Sequence, residues 1–166
     1  MQREGTSAPL LSPMTEFFAG QSLTCGAYAE LLSHEMVRSI KDVYRDRKFD
    51  LVTCVPMHKD TLRERGYNQA ELLAKECARL LGIEYANLLA KTKKNKTQHS
   101  IKAAERVKNV IGVYSPIDKN LIKGKRILII DDIITTGSTL GECARILNKC
   151  KCGEICCCTL CTSLLI

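Results

Sequence analysis

The 166-residue chain has no tryptophan, three phenylalanines and four prolines. It also lacks any apolar run near the 18 or so residues that a membrane-crossing helix needs. The longest such run, 155–166, has 12 residues, three of them hydroxyl side chains. At the N-terminus no basic cluster leads into an unbroken apolar core, because Pro9, Pro13 and Glu16 interrupt it. A secretory leader is therefore not expected, and a cytoplasmic location is. Two phosphate-binding patterns, G-x-x-x-x-G-K-[ST] and G-x-G-x-x-G, are missing as well, which excludes a Walker loop and a dinucleotide fingerprint. No internal repeat or low-complexity tract is present.

What remains is an ordinary globular composition, 45% hydrophobic and 26% charged. The length fits one domain with a real core. Residues 1–24 carry little pattern and form a loosely assigned segment; residues 25–166 form the domain. The net charge of +7 is concentrated in 91–108, where seven cations face the single acid Glu105. Such a patch points to a polyanionic partner or to a solvated loop. The segment contains no Phe, Tyr or Trp, so it lacks the stacking platforms of a single-strand nucleic-acid binder. That weighs against direct nucleic-acid binding and favours a small phosphorylated ligand.

Six of the ten cysteines fall in 150–161, including a C-x-x-C at Cys158 and Cys161. The apolar run Ile155 to Cys161 reads as a buried strand. On a strand, side chains three residues apart face opposite ways and cannot share one zinc ion. These cysteines are expected to be reduced core thiols.

The spacing Ala29, Leu32, Met36, Ile40, Val43 predicts a helix. Leu51 to Val55 is a short buried strand, stopped by Pro56, and residues 57–66 are a polar loop. A second helix opens at Asn68 as N-cap with Glu71 in the capping-box position. It buries Ala70, Leu73, Cys77, Leu80 and Leu81 and ends at Gly82. Residues 85–89 are read as a strand, 109–116 as a stretch that holds another, and Arg126 to Ile130 as a third. The stripe Leu140, Cys143, Ala144, Leu147 is a helix, and the cysteine-rich strand closes the chain. Strands that alternate with helices, and are apolar throughout rather than alternating, predict a mostly parallel sheet with helices on both faces.

In such a sheet, ligands sit beyond the carboxyl ends of the strands. Asp131 and Asp132 stand at one of these ends. They are followed by Ile134, Thr135, Thr136, Gly137, Ser138 and Thr139, which feed a helix. Small residues let backbone N–H groups curl around an anion, Gly137 can adopt a positive φ, and the helix start adds partial positive charge. The hydroxyls add donors. Two carboxylates beside this phosphate cradle can accept from a vicinal diol, so a ribose 5-phosphate fits.

The stretch "ILIIDDIITTGST" resembles the PRPP-binding motif of type I phosphoribosyltransferases. "VPMHKDTLRERGYNQAELLA" (55–74) and "KTKKNKTQHSIKAAERVKNV" (91–110) are similar to the ComF-type, competence-associated branch of that family. The resemblance implies a type I phosphoribosyltransferase fold with a small or reduced hood. It implies Mg²⁺-dependent displacement of pyrophosphate from PRPP by an acceptor, with nitrogen the expected nucleophile and its identity open. It assigns Val55, Pro56, Met57, His58, Lys59, Arg63 and Arg65 to the pyrophosphate loop. Asp131, Asp132, Arg65, Gln98 and Arg106 become the catalytic set, and Asp131 and Asp132 the metal contacts, mostly through water or ligand. The basic segment would be a mobile lid. Cys54 stands where the family has proline, and Lys91 and Asn95 where it has arginine and threonine. These departures favour an alternative, a non-catalytic PRPP-sensing or DNA-uptake-associated binding protein. Homodimerisation is left open.

Overall fold

The computed structural model describes residues 25–93 and 110–162. Gln98, Arg106, Asn95 and residues 1–24 lie outside the described residues. A four-stranded parallel sheet is built from β1 (Leu51–Cys54), β2 (Glu84–Tyr85), β5 (Arg126–Ile134) and β6 (Glu154–Thr162), in the order β2-β1-β5-β6. A second, two-stranded antiparallel sheet pairs β3 (Leu89–Lys91) with β4 (Tyr114–Pro116). The helices are α1 (Cys25–Val43), α2 (Lys59–Arg65), α3 (Gln69–Leu81), α4 (Lys119–Ile122) and α5 (Ser138–Lys149).

The uninterrupted apolar strands are explained by burial on both faces. Alternation along β1 and β5 sends Val52, Cys54, Leu128 and Ile130 to one side. There they meet Met36, Val37 and Ile40 of α1 and Leu73, Ala74 and Cys77 of α3. Leu51, Ile127 and Ile129 point the other way, against Cys143, Ile146 and Leu147 of α5 and Leu89 and Tyr114 of the small sheet. The expected alternation of the cysteine strand is realised: Cys157 packs on the α5 side and Cys156 and Cys158 on the α1–α3 side. Among the described residues no helix is long and apolar enough to cross a membrane.

Several expectations need correction. The polar stretch after Pro56 is not all loop: residues 59–65 form α2, with His58 as its N-cap and Gly66 ending it. No residue of α2 is buried, so no apolar stripe marked it. Residues 85–89 are not one strand. Tyr85 ends β2 in the main sheet, whereas Leu89 starts β3 in the other. β5 runs on past Ile130 to Ile134, paired with β6 as far as Thr162. Val43 is exposed at the end of α1, and the inner face instead includes Val37 and the buried Ser33, which donates to the Leu73 carbonyl. Asn68 occupies the N-cap position of α3 without a side-chain cap bond, and Glu71 pairs with Lys75 rather than closing a capping box.

Candidate functional site

From β1 the chain passes to β2 on one side of the sheet, and from β5 to β6 on the other. The carboxyl ends of β1 and β5 therefore flank the point where strand order reverses, the crevice at which open parallel sheets bind ligands. Two sequence-predicted segments meet there. The Val55 N–H donates to the Ile130 carbonyl at 3.0 Å, which holds the start of the 55–58 loop beside Asp131. On the other side of that loop, Asn68 Nδ2 donates to the Val55 carbonyl at 3.1 Å. The amide that sequence reading made a helix cap is thus a brace for the loop.

Asp131 is buried, and Asp132 is half-buried beside it. The Asp132 N–H donates to Asp131 Oδ1 at 3.0 Å, and the Ile133 N–H donates to Asp132 Oδ1 at 2.8 Å. Each carboxylate is oriented through its Oδ1 by the backbone N–H of the residue that follows it. Burial, and then the neighbouring Asp132 charge, push the Asp131 carboxyl up to about 7. A group poised there gains from any ligand that donates hydrogen bonds or brings positive charge to it.

The cradle follows. Gly137 has φ +71 and sits at the N-cap of α5, where a side chain would be strained whatever the space around it. The Gly141 N–H closes the first helical turn on the Gly137 carbonyl at 2.8 Å. The amides of Thr139 and Leu140 have no acceptor within the helix, and that of Ser138 reaches only Thr136 Oγ1 at 3.4 Å, so donors cluster at its positive end. Thr136 and Ser138 share a hydroxyl contact of 2.7 Å. Thr135 and Thr136 are exposed, while Ser138 and Thr139 are half-buried. Ile134 packs into the core beneath them.

The remaining candidates are placed less uniformly. Pro56 and Met57 are half-buried at the crevice. His58 is buried, and its Nδ1 accepts from the Asp60 N–H at 3.3 Å, so it caps α2. Lys59, Arg63 and Arg65 are exposed on α2. Cys54 lies within the core, its Sγ 3.4 Å from the Tyr85 hydroxyl, and burial pushes the thiol up to about 11. Lys91 is half-buried with its Nζ 5.7 Å from the centre of the Tyr114 ring, and burial lowers its pKa.

Sequence reading missed Tyr114 and Glu142. Tyr114 is buried, and burial above all, with the Asp131 charge adding to it, pushes its hydroxyl pKa up, while a hydrogen bond with Thr139 acts the other way. Glu142 is buried on α5. The signal for Glu142 was an acid beside the apolar stripe of that helix with an arginine three residues on.

Residues 68–164 match the phosphoribosyl transferase domain family. The chain is 34% identical over 121 residues to Competence protein F of Haemophilus influenzae, covering 72% of this chain and 53% of that one. It is 28% identical over 145 residues to the DNA utilization protein YhgH of Escherichia coli, covering 86% and 63%. The chain thus spans little more than half the length of these curated relatives. Among solved structures, glutamine phosphoribosylpyrophosphate (PRPP) amidotransferase from B. subtilis aligns with a TM-score of 0.54 at 20% identity, over 80% of this chain and 26% of that one. This last likeness supports the fold alone. With the family match covering the cradle and its relatives bearing competence names, the chain belongs to the ComF-type phosphoribosyltransferase family.

Proposed function

We propose that the chain binds PRPP at the β1–β5 crevice and transfers its phosphoribosyl group to a nitrogen acceptor, releasing pyrophosphate. The observation that carries this reading is the conjunction of two carboxylates, an anion-binding helix start and the 55–58 loop at one switch point. The 5-phosphate takes the first-turn amides of α5 and the hydroxyls of Thr135, Thr136, Ser138 and Thr139. The ribose 2- and 3-hydroxyls donate to Asp131 and Asp132. Pyrophosphate lies over Val55 to His58, with Arg63 and Arg65 of α2 and Lys59 as the nearby cations. Gln98 and Arg106 of the basic segment remain proposed contributors.

In the transfer step the bond from ribose carbon 1 to pyrophosphate breaks, and pyrophosphate leaves with the electron pair. The acceptor lone pair forms the new carbon–nitrogen bond, and the acceptor then gives up a proton to solvent. Positive charge grows on the ribose ring as the leaving group departs, and the two carboxylates lie where they lower its energy. Positioning supplies the rest. Mg²⁺ fits as an ion that arrives with PRPP. The crevice offers two carboxylates, and no cluster of three metal-ligating side chains occurs among the described residues, so PRPP oxygens and water would complete its shell.

PRPP sensing without transfer is favoured by one observation. The Lys91 amine is desolvated over a tyrosine ring rather than held in solvent for a pyrophosphate. The test is a PRPP titration with and without Mg²⁺ on wild-type protein and on Asp131→Asn/Asp132→Asn, followed by a pyrophosphate-release assay with nitrogen acceptors. Mg²⁺-dependent binding lost in the double variant supports the site. Release then distinguishes transfer from sensing, and absence of binding by folded wild-type protein rejects both.

A further inference from the structure

A carboxylate held out of water needs partners that replace its hydration. Apart from Asp131, Glu142 is the only buried carboxylate among the described residues. Its Oε2 accepts from Arg145 Nε at 2.6 Å, and its Oε1 from Arg145 Nη2 at 2.7 Å. Arg145 is on the same helix, so that pair ties α5 to nothing else. The second partner of Oε1 is different: the Gly112 N–H donates to it at 2.9 Å from 30 residues away.

Gly112 has φ +73, a conformation that disfavours other residues, and it lies two residues before β4. The strand it leads into is closely tied to β3. The Val113 carbonyl accepts from the Thr92 N–H at 2.8 Å and from Thr92 Oγ1 at 3.0 Å, and Tyr114 pairs with Lys91 in the ladder. Thr92 and Gly112 therefore bracket the basic segment at a closed neck. On α5, Glu142 is three residues from Thr139 and shares its face. Thr139 is beside Tyr114, and Glu142 holds Gly112. The cradle helix thus meets the neck at two points, one of them a charge-assisted hydrogen bond.

We infer that Glu142 is a positioning residue that fixes the neck of the basic segment, with Lys91 and Tyr114, against the helix that begins the phosphate cradle. The inference rests on the PRPP reading of that cradle. Glu142 touches no ligand; it acts through Gly112. Its removal should loosen Lys91 and Tyr114 in the neck while leaving the first-turn amides of α5 in place.

The experiment compares wild type, Glu142→Ala and Glu142→Gln in three measurements: titration with Mg²⁺ and PRPP, titration with inorganic phosphate, and backbone amide exchange. In Glu142→Ala, PRPP affinity should fall about tenfold while phosphate affinity stays within about twofold. Exchange should quicken at 110–114 and not in β5. Glu142→Gln keeps an acceptor for the Gly112 N–H and should restore PRPP affinity to within about threefold of wild type. Equal loss of both ligands, or loss of neither, overturns the inference. In wild-type protein alone, the Gly112 amide should be as protected as those of β4, and an unprotected amide also overturns it. If wild-type protein binds no PRPP, the phosphoribosyl reading fails and exchange decides the anchor. Quickening confined to 110–114 upholds it, and unchanged exchange at Gly112 rejects it.

Discussion

Asp131 has a carboxyl whose ionisation the fold resists, because burial and Asp132 both disfavour the anion. Its folded-state pKa of about 7 lies above the usual carboxylate value, so the native state binds this proton more tightly than the unfolded chain. Stability is therefore full at acid pH and declines as pH rises towards and through 7. Asp131→Asn keeps an oxygen for the Asp132 N–H and removes the titration. It should be more stable than wild type by a few kcal/mol at pH 8 and nearly equal at pH 4, as read from thermal unfolding. Cys54 supplies a contrasting case. Its thiol is in the core, so Cys54→Ala should cost about 1–2 kcal/mol of stability. PRPP affinity should stay within about threefold of wild type, because Asn68 Nδ2 keeps its 3.1 Å bond to the Val55 carbonyl when its 3.8 Å contact with Cys54 Sγ is lost. A large loss of affinity on this substitution would contradict the placement.

The cradle depends on the junction of β5 and α5, where Gly137 turns the chain with φ +71. A Cβ there would be 3.7 Å from Ile134 Cδ1, an ordinary contact, so Gly137→Ala meets backbone strain rather than a clash. The cost should be about 1–2 kcal/mol in stability, with a clear loss of PRPP affinity as the first-turn amides are re-aimed. At the opposite end of the sheet, Asp50 accepts from Arg126 through both carboxylate oxygens and also from the Arg126 backbone N–H. These bonds hold the Asp50 carboxyl well below the usual range. Its contribution is present above the ordinary carboxylate pKa and is lost as pH falls through the depressed one. Asp50→Asn should therefore flatten the acid limb of the unfolding-temperature profile below about pH 4 and leave PRPP binding alone.

The elements also show what a linear reading can reach. The first five residues of β5, the turn at Gly137 and α5 were legible because strand, acids, turn and apolar stripe follow each other without interruption. α2 was not, since its seven residues bury nothing and its N-cap is a histidine. The 85–89 run was split because Tyr85 and Leu89 serve different sheets, a choice made by partners far away in sequence. Asn68 looks like a cap locally, yet its amide is drawn to Val55 by the return of the chain past β1. Tyr114 and Glu142 were missed for the same reason: each acquires its role only when β4 docks on α5.

At the scale of the molecule, the sheet order brings the ends of β1 and β5 together and leaves the small β3–β4 sheet over the α5 side. Six of the seven net positive charges lie in the segment that begins at Lys91. A site of two carboxylates thus has a strongly basic segment leaving from the sheet beside it, which suits a ligand with phosphate at both ends and hydroxyls between. On the proposed PRPP reading, Asp131 must be ionised to hold the ribose. The most direct measurement is calorimetric titration of Mg²⁺ and PRPP at pH 6 and pH 8 with wild type and Asp131→Asn. The carboxyl titrates at about 7, so wild-type affinity should rise about tenfold between the two pH values, with a proton released on binding at pH 6. Asp131→Asn should bind weakly and with a flat profile. Wild-type binding that ignores pH, or an Asp131→Asn variant that binds as well as wild type, would contradict the account.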